Sequence, residues 1–125
     1  MSRTLLVEDD YWFRRSVCET LHAAFPDMSV VEAGGRPDAL RALQSVVPDL
    51  ILMDIHLPDS NGLEITEEIH VLHPDLAIVI LTNFDLPEYR DAAKRSGASD
   101  YVWKGDSPAV LLDVVAGLLD SRGMA

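Results

Sequence analysis

The sequence predicts an α/β protein, a doubly wound five-stranded parallel sheet flanked by five helices. Three observations predict it. Short apolar runs alternate with amphipathic stretches from end to end. The apolar runs are continuous, as expected of strands covered on both faces of a parallel sheet. Two of them, Thr4-Leu5-Leu6-Val7 and Leu50-Ile51-Leu52-Met53, stop at acids, Glu8-Asp9-Asp10 and Asp54. Open α/β sheets bind their ligands beyond the carboxyl ends of the strands, so these acids mark a candidate functional edge.

The elements follow in order. Leu5–Val7 reads as a short buried strand. Tyr11–Phe25 reads as an amphipathic helix, with Phe13, Val17, Leu21 and Ala24 at spacings of three and four, ended by Pro26-Asp27. Asp10 is placed to cap it. Ser29–Glu32 is the second strand, and Gly34-Gly35-Arg36-Pro37 reads as a turn. The second helix spans Asp38–Val47 and stops at Pro48; Leu50–Met53 is the third strand. A loop over Pro58–Gly62 leads to a third helix over Leu63–Leu72, with Asn61 or Ser60 as cap. Ala77–Leu81 is the fourth and most apolar strand. Pro87–Arg95 is the fourth helix, closed by Gly97. Asp100–Trp103 is the fifth strand. Ser107-Pro108 opens the last helix, which runs to about Ser121.

The bulk properties narrow the function. At 125 residues and 48% hydrophobic, the chain reads as one domain over 1–125 with a real core. A net charge of −11 opposes binding to nucleic acid or anionic membranes. The single cysteine, Cys18, allows no internal disulfide and reads as a packed helix residue. No stretch reads as a signal peptide or membrane span, so a cytoplasmic location is expected.

Right-handed crossovers restrict the topology to a few doubly wound orders. In the flavodoxin-like order 2-1-3-4-5, the first and third strands lie side by side at the switch point. That order brings Glu8, Asp9 and Asp54 together. Two carboxylates about 5 Å apart repel by roughly 3 kcal/mol at an effective dielectric near 20, enough to displace a pKa by about 2. A divalent cation turns this cost into binding energy. Mg2+ takes oxygen ligands, commonly one or two carboxylates with waters and a phosphate oxygen. Asp9 and Asp54 fit the carboxylate positions, Glu8 is placed to orient a bound water, and the backbone carbonyl of His56 is a further candidate ligand. A carboxylate also serves as a nucleophile that forms an aspartyl-phosphate. Thr82 and Lys104, at the ends of the fourth and fifth strands, are candidates to contact phosphoryl oxygens at the same edge.

These residues carry a family resemblance over essentially the whole length. Leu5-Leu6-Val7-Glu8-Asp9-Asp10, Pro48-Asp49-Leu50-Ile51-Leu52-Met53-Asp54, Leu57-Pro58 with Gly62, Leu81-Thr82 and Tyr101-Val102-Trp103-Lys104 follow one another in the order of a response-regulator receiver domain. The chain resembles that family. The resemblance implies that Asp54 accepts a phosphoryl group from a histidine kinase or phosphotransfer protein, that Glu8 and Asp9 belong to a Mg2+ site, and that Thr82 and Lys104 contact the phosphoryl group. It implies that Tyr101 is an aromatic switch reporting the state of Thr82. The chain then acts as a phosphorylation-dependent signalling switch, catalysing only its own phosphorylation and dephosphorylation. Three departures stand out. Gly105 replaces the usual proline after the lysine, and no cis bond is assumed there. Asn83 replaces the usual small residue, and His56 with Phe84 occupies positions that tune dephosphorylation.

Other readings compete. The chain also fits the receiver fragment of a DNA-binding transcriptional regulator. A haloacid-dehalogenase-type phosphatase shares the nucleophilic aspartate, Mg2+, threonine and lysine, but requires a second aspartate where His56 stands. A flavin module on the same fold requires a phosphate loop that Glu8-Asp9-Asp10 would repel. His22, His70 and His73 read as surface or helix-end residues. In the last helix Val110, Leu111, Leu112, Val114, Val115, Leu118 and Leu119 exceed one stripe, which points to a broad core face or to an output or dimer surface formed by the fourth helix, fifth strand and fifth helix.

Overall fold

The structure is a computed structural model that describes residues 2–121. Along the chain run β1 (Arg3–Val7), α1 (Tyr11–Ala24), β2 (Ser29–Ala33), α2 (Arg36–Ser45), β3 (Leu50–Met53), β4 (His56–Leu57), β5 (Ser60–Asn61), α3 (Gly62–Leu72), β6 (Ala77–Thr82), α4 (Pro87–Arg95), β7 (Asp100–Trp103) and α5 (Pro108–Ser121). The main sheet has the order β2-β1-β3-β6-β7 and every pairing in it is parallel. Counting only its own strands, this is the expected order 2-1-3-4-5.

Pleating sends alternate residues to two cores. Leu5, Val7, Ile51, Met53, Ile78 and Ile80 pack on one face with Ala39, Ile65, Ile69 and Ala93 of α2, α3 and α4. Leu6, Leu50, Leu52, Val79 and Leu81 pack on the other with Val17, Cys18 and Leu21 of α1 and Leu111, Val115 and Leu119 of α5. All ten residues of β3 and β6 are buried, which explains why their apolar runs are unbroken. Each Val, Leu, Ile or Met among them contributes about 1.5–3 kcal/mol through burial, so the sheet centre is a rigid platform for whatever leaves its ends.

Several boundaries differ from the sequence expectation. β1 begins at Arg3 because Arg3 pairs with Ser29 across the ladder. α2 begins at Arg36 rather than Asp38, with Gly35 as N-cap and Pro37 in the first turn, where a missing N–H costs nothing. It ends at Ser45, short of Val47. The segment expected as loop contains a two-residue antiparallel ladder, His56 with Asn61 and Leu57 with Ser60. Asn61 then caps α3 by accepting from Leu63 N–H at 2.8 Å, and Asp10 caps α1 through Phe13 N–H at 3.0 Å. In α5 the apolar surplus forms a broad core face: Leu112, Val114 and Leu118 pack partly buried beside the central stripe, while Val110 is 39% exposed. Among the described residues no helix is long and apolar enough to cross a membrane.

Candidate functional site

The register of the sheet sets the height of each polar side chain. Val7 lies beside Met53 and Thr82 beside Trp103. The residues that follow them therefore emerge together at the carboxyl edge. The ladder continues one step past the strands: Asp54 N–H donates to Val7 O at 3.0 Å, Glu8 N–H to Ala33 O at 2.9 Å and Lys104 N–H to Thr82 O at 2.7 Å. Glu8, Asp54, Thr82 and Lys104 are thus fixed by backbone bonding.

Glu8, Asp9 and Asp54 each offer a carboxylate oxygen, and these oxygens lie within 4.8 Å of one another. Glu8 is 2% exposed and Asp54 7%, while Asp9 faces solvent. Lys104 reaches into the cluster. Its ammonium donates to Glu8 and lies 3.5 Å from Asp54 Oδ2, and it also sits 4.4 Å above the Phe13 ring. Glu8 further accepts from the backbone N–H of Asp10 at 3.1 Å. Burial pushes the Glu8 carboxyl up to about 7, and Asp54 adds to the rise; the bonds from Lys104 and Asp10 oppose it. Three carboxylates against one ammonium leave the cluster in net excess of negative charge. An all-oxygen donor set of this size and sign fits a hard divalent cation.

Gly62 packs against the backbone of this site. A Cβ there would stand 1.8 Å from the carbonyl oxygen of Asp54 and 2.8 Å from its carbon. Gly62 N–H also donates to Ile55 O at 2.7 Å. The start of α3 therefore braces the turn that carries Asp54, and only glycine allows that approach.

Thr82 is fully buried at the end of β6, and its hydroxyl oxygen accepts from Phe84 N–H at 3.4 Å. Tyr101 is 8% exposed; its hydroxyl donates to the Phe84 carbonyl, and the Arg90 guanidinium covers its ring at 4.7 Å. Burial raises the pKa of that hydroxyl. A cleft of about 210 Å³ joins Glu8, Asp9, Asp10, Asp54, His56, Thr82, Asn83, Phe84 and Lys104. Every candidate except Tyr101 thus lines one cleft, and Tyr101 touches it through Phe84. The His56 side chain is exposed at the rim. Among the described residues every peptide bond is trans, including Lys104–Gly105.

Several features escape sequence reading. The His56 ring packs on Phe84 with centroids 4.7 Å apart, and Phe84 stacks on Tyr89 at 4.9 Å. The Arg14 guanidinium donates to the Glu8 carbonyl at 2.8 Å and to the Glu32 carboxylate at 3.0 Å, where Arg15 also binds. Against the opposing effect of desolvation, these two arginines lower the pKa of the Glu32 carboxyl. The pairing of Lys104 with Glu8 joins opposite ends of the chain. No local periodicity carries these contacts; only the strand order brings them within reach.

Comparison with known proteins agrees with this arrangement. The model of the response regulator receiver domain family matches residues 4–116. The chain is 36% identical to the DNA-binding transcriptional activator DevR/DosR of Mycobacterium tuberculosis, over 100% of this chain and 60% of the relative. It is 35% identical to the transcriptional regulatory protein YxjL of Bacillus subtilis, over 90% of this chain and 52% of the relative. The chain spans about half the length of such curated relatives. Among solved structures it is similar to a CheY-like receiver domain protein from Methanospirillum hungatei, with TM-score 0.89, 28% identity, and 98% and 97% of the two chains covered. It is also similar to a LuxR-family response regulator from Aurantimonas, with TM-score 0.90, 30% identity, and 97% and 86% covered. With the match running from the first strand into the last helix, the chain belongs to the receiver domain family of two-component response regulators.

Proposed function

We propose that this chain is a phosphorylation switch in which Asp54 accepts a phosphoryl group and Glu8, Asp9, Asp54 and the His56 backbone carbonyl hold Mg2+. The observation that carries the reading is the acidic cluster at one sheet edge, in which buried Glu8 and Asp54 and solvent-facing Asp9 gather with Lys104. In transfer from a phosphohistidine, an Asp54 carboxylate oxygen forms a bond to phosphorus as the phosphorus–nitrogen bond breaks, and the imidazole takes up a proton. Bound Mg2+ supplies positive charge against the transferring phosphoryl oxygens. Lys104, already 3.5 Å from Asp54 Oδ2, offers an ammonium to the same oxygens once the aspartate is phosphorylated. Thr82 offers its hydroxyl proton to the same oxygens while its oxygen accepts from Phe84 N–H. That shared hydroxyl couples the phosphoryl group to Phe84 and, through its carbonyl, to Tyr101. The result is a population shift between two arrangements of this edge.

The donor is a histidine kinase or phosphotransfer protein, and the only chemistry of the chain itself is Mg2+-dependent gain and loss of the phosphoryl group. The output contact is the surface of α4, β7 and α5. The whole domain, residues 1–125, works in the cytoplasm as one unit. A second reading is favoured by the relatives: DevR/DosR and YxjL are named as transcriptional regulators, and this chain spans 60% and 52% of them. In that reading it is the receiver part of a DNA-binding regulator. A haloacid-dehalogenase-type phosphatase is disfavoured, because the position two residues after Asp54 holds His56, packed on Phe84 instead of serving as a carboxylic acid.

Intact-mass measurement after incubation with acetyl phosphate tests the reading. One added phosphoryl group is expected with Mg2+, none with chelator and none in Asp54→Asn. Labelling that persists in Asp54→Asn would overturn it.

A further inference from the structure

We infer that Trp103 and Gly105 form a positioning clamp on the loop that follows Thr82, a role that deepens and rests on the phosphorylation reading above. The indole N–H of Trp103 donates to the carbonyl of Asn83 at 3.1 Å. Tyr101, two residues earlier on β7, donates to the carbonyl of the next residue, Phe84. Side chains two apart on a strand lie on the same face; Tyr101 is buried and Trp103, the last residue of β7, is 37% exposed. One strand therefore holds two consecutive carbonyls of a single loop. That loop begins immediately after Thr82, and its Asn83 and Phe84 line the cleft of Asp54.

Gly105 is the counterpart of the clamp. A Cβ at this position would lie 2.4–2.6 Å from the Cζ2, Cη2 and Cε2 atoms of the Trp103 ring. The backbone of Gly105 thus occupies the floor on which the indole rests. Any larger residue, the family's usual proline included, would push the ring aside and break its bond to Asn83. Trp103 and Gly105 are therefore one unit: the indole lies where a side chain at position 105 would stand. Lys104 sits between them, with its backbone N–H on Thr82 O and its ammonium on Glu8. The clamp thus joins the two residues that meet the phosphoryl group, Thr82 and Lys104.

Holding the loop in advance lowers the cost of ordering it during transfer. Binding of the cation draws on Glu8, Asp9, Asp54 and the His56 backbone carbonyl, whereas the indole bond of Trp103 goes to Asn83. The two properties should separate. Trp103→Phe removes the indole donor and keeps an aromatic ring; Gly105→Ala keeps the indole and displaces it. Each is expected to slow phosphorylation by acetyl phosphate at saturating Mg2+ about fivefold, as the loss of one neutral hydrogen bond predicts. Mg2+ affinity, measured by calorimetry, should change less than twofold. The double variant should be no slower than the slower single one, since both changes act on one bond. Unchanged rates in Trp103→Phe would overturn the inference, as would additive slowing or a parallel loss of Mg2+ affinity, which marks general loosening of the pocket. If the parent forms no adduct at all, the phosphorylation reading fails and this inference fails with it; a parent that labels normally isolates the clamp.

Discussion

At the amino end of the sheet, Thr4 is buried and its hydroxyl donates to the Met28 sulfur at 3.3 Å, while Arg3 N–H donates to Asp49 at 2.8 Å. At the carboxyl end, Glu8 and Asp54 are buried around Lys104. The same strands therefore end in two ways. Where a strand merely starts, a neutral hydroxyl meets a thioether and a single carboxylate satisfies a backbone N–H. Where it stops, three carboxylates are crowded within 4.8 Å. Folding requires nothing of the second kind, as the first end demonstrates. On the proposed reading the crowding is a functional cost, borne at the end where open α/β sheets collect their ligands.

The contrast is broken most severely by Gly62→Ala. The new Cβ would meet Asp54 backbone at 1.8 Å, and displacing backbone in a packed region should destabilise by about 3 kcal/mol or more. Urea unfolding measures it. A loss under about 1 kcal/mol would mean that the Asp54 turn yields freely.

Lys104→Met comes next. It leaves Glu8 and Asp54 buried without their cation, a change that costs about 3 kcal/mol when a buried pair loses one partner. Excess Mg2+ should recover part of that loss. A variant as stable as the parent without metal would show that the ammonium does not offset the carboxylates.

Asp54→Asn runs the other way. Removing one carboxylate relieves repulsion, so the metal-free variant should be more stable than the metal-free parent by about 1–2 kcal/mol. Thr4→Val, at the opposite end, is the smallest change. It removes one weak bond to sulfur and should move stability by no more than about 1 kcal/mol, with no dependence on Mg2+. Any Mg2+ dependence in Thr4→Val would contradict the separation of the two ends.

Legibility in the sequence follows the same division. The strands were legible because β3 and β6 are buried throughout and read as unbroken apolar runs. The cleft followed from topology, since strand order alone carries Glu8, Asp54, Thr82 and Lys104 to one edge. The start of α2 was obscured because Arg36-Pro37 after two glycines has the composition of a turn, yet proline is tolerated in a first helical turn. The β4–β5 ladder is two residues long on each side, too short for periodicity to register. The stack of His56, Phe84 and Tyr89, and the Trp103 contact with Asn83, depend on side-chain directions of residues far apart in sequence. In α5 the apolar surplus was visible, but whether it met core or solvent depended on how α1 and β7 pack beside it.

The central claim is that the acidic edge exists to bind a cation and a phosphoryl group. Thermal melting of the parent and Asp54→Asn, each with and without Mg2+, tests it most directly. Without Mg2+ the variant should melt above the parent; with Mg2+ the parent should gain more than the variant and narrow or reverse the gap. A variant that melts below the parent without Mg2+, together with equal gains from the ion, would contradict it.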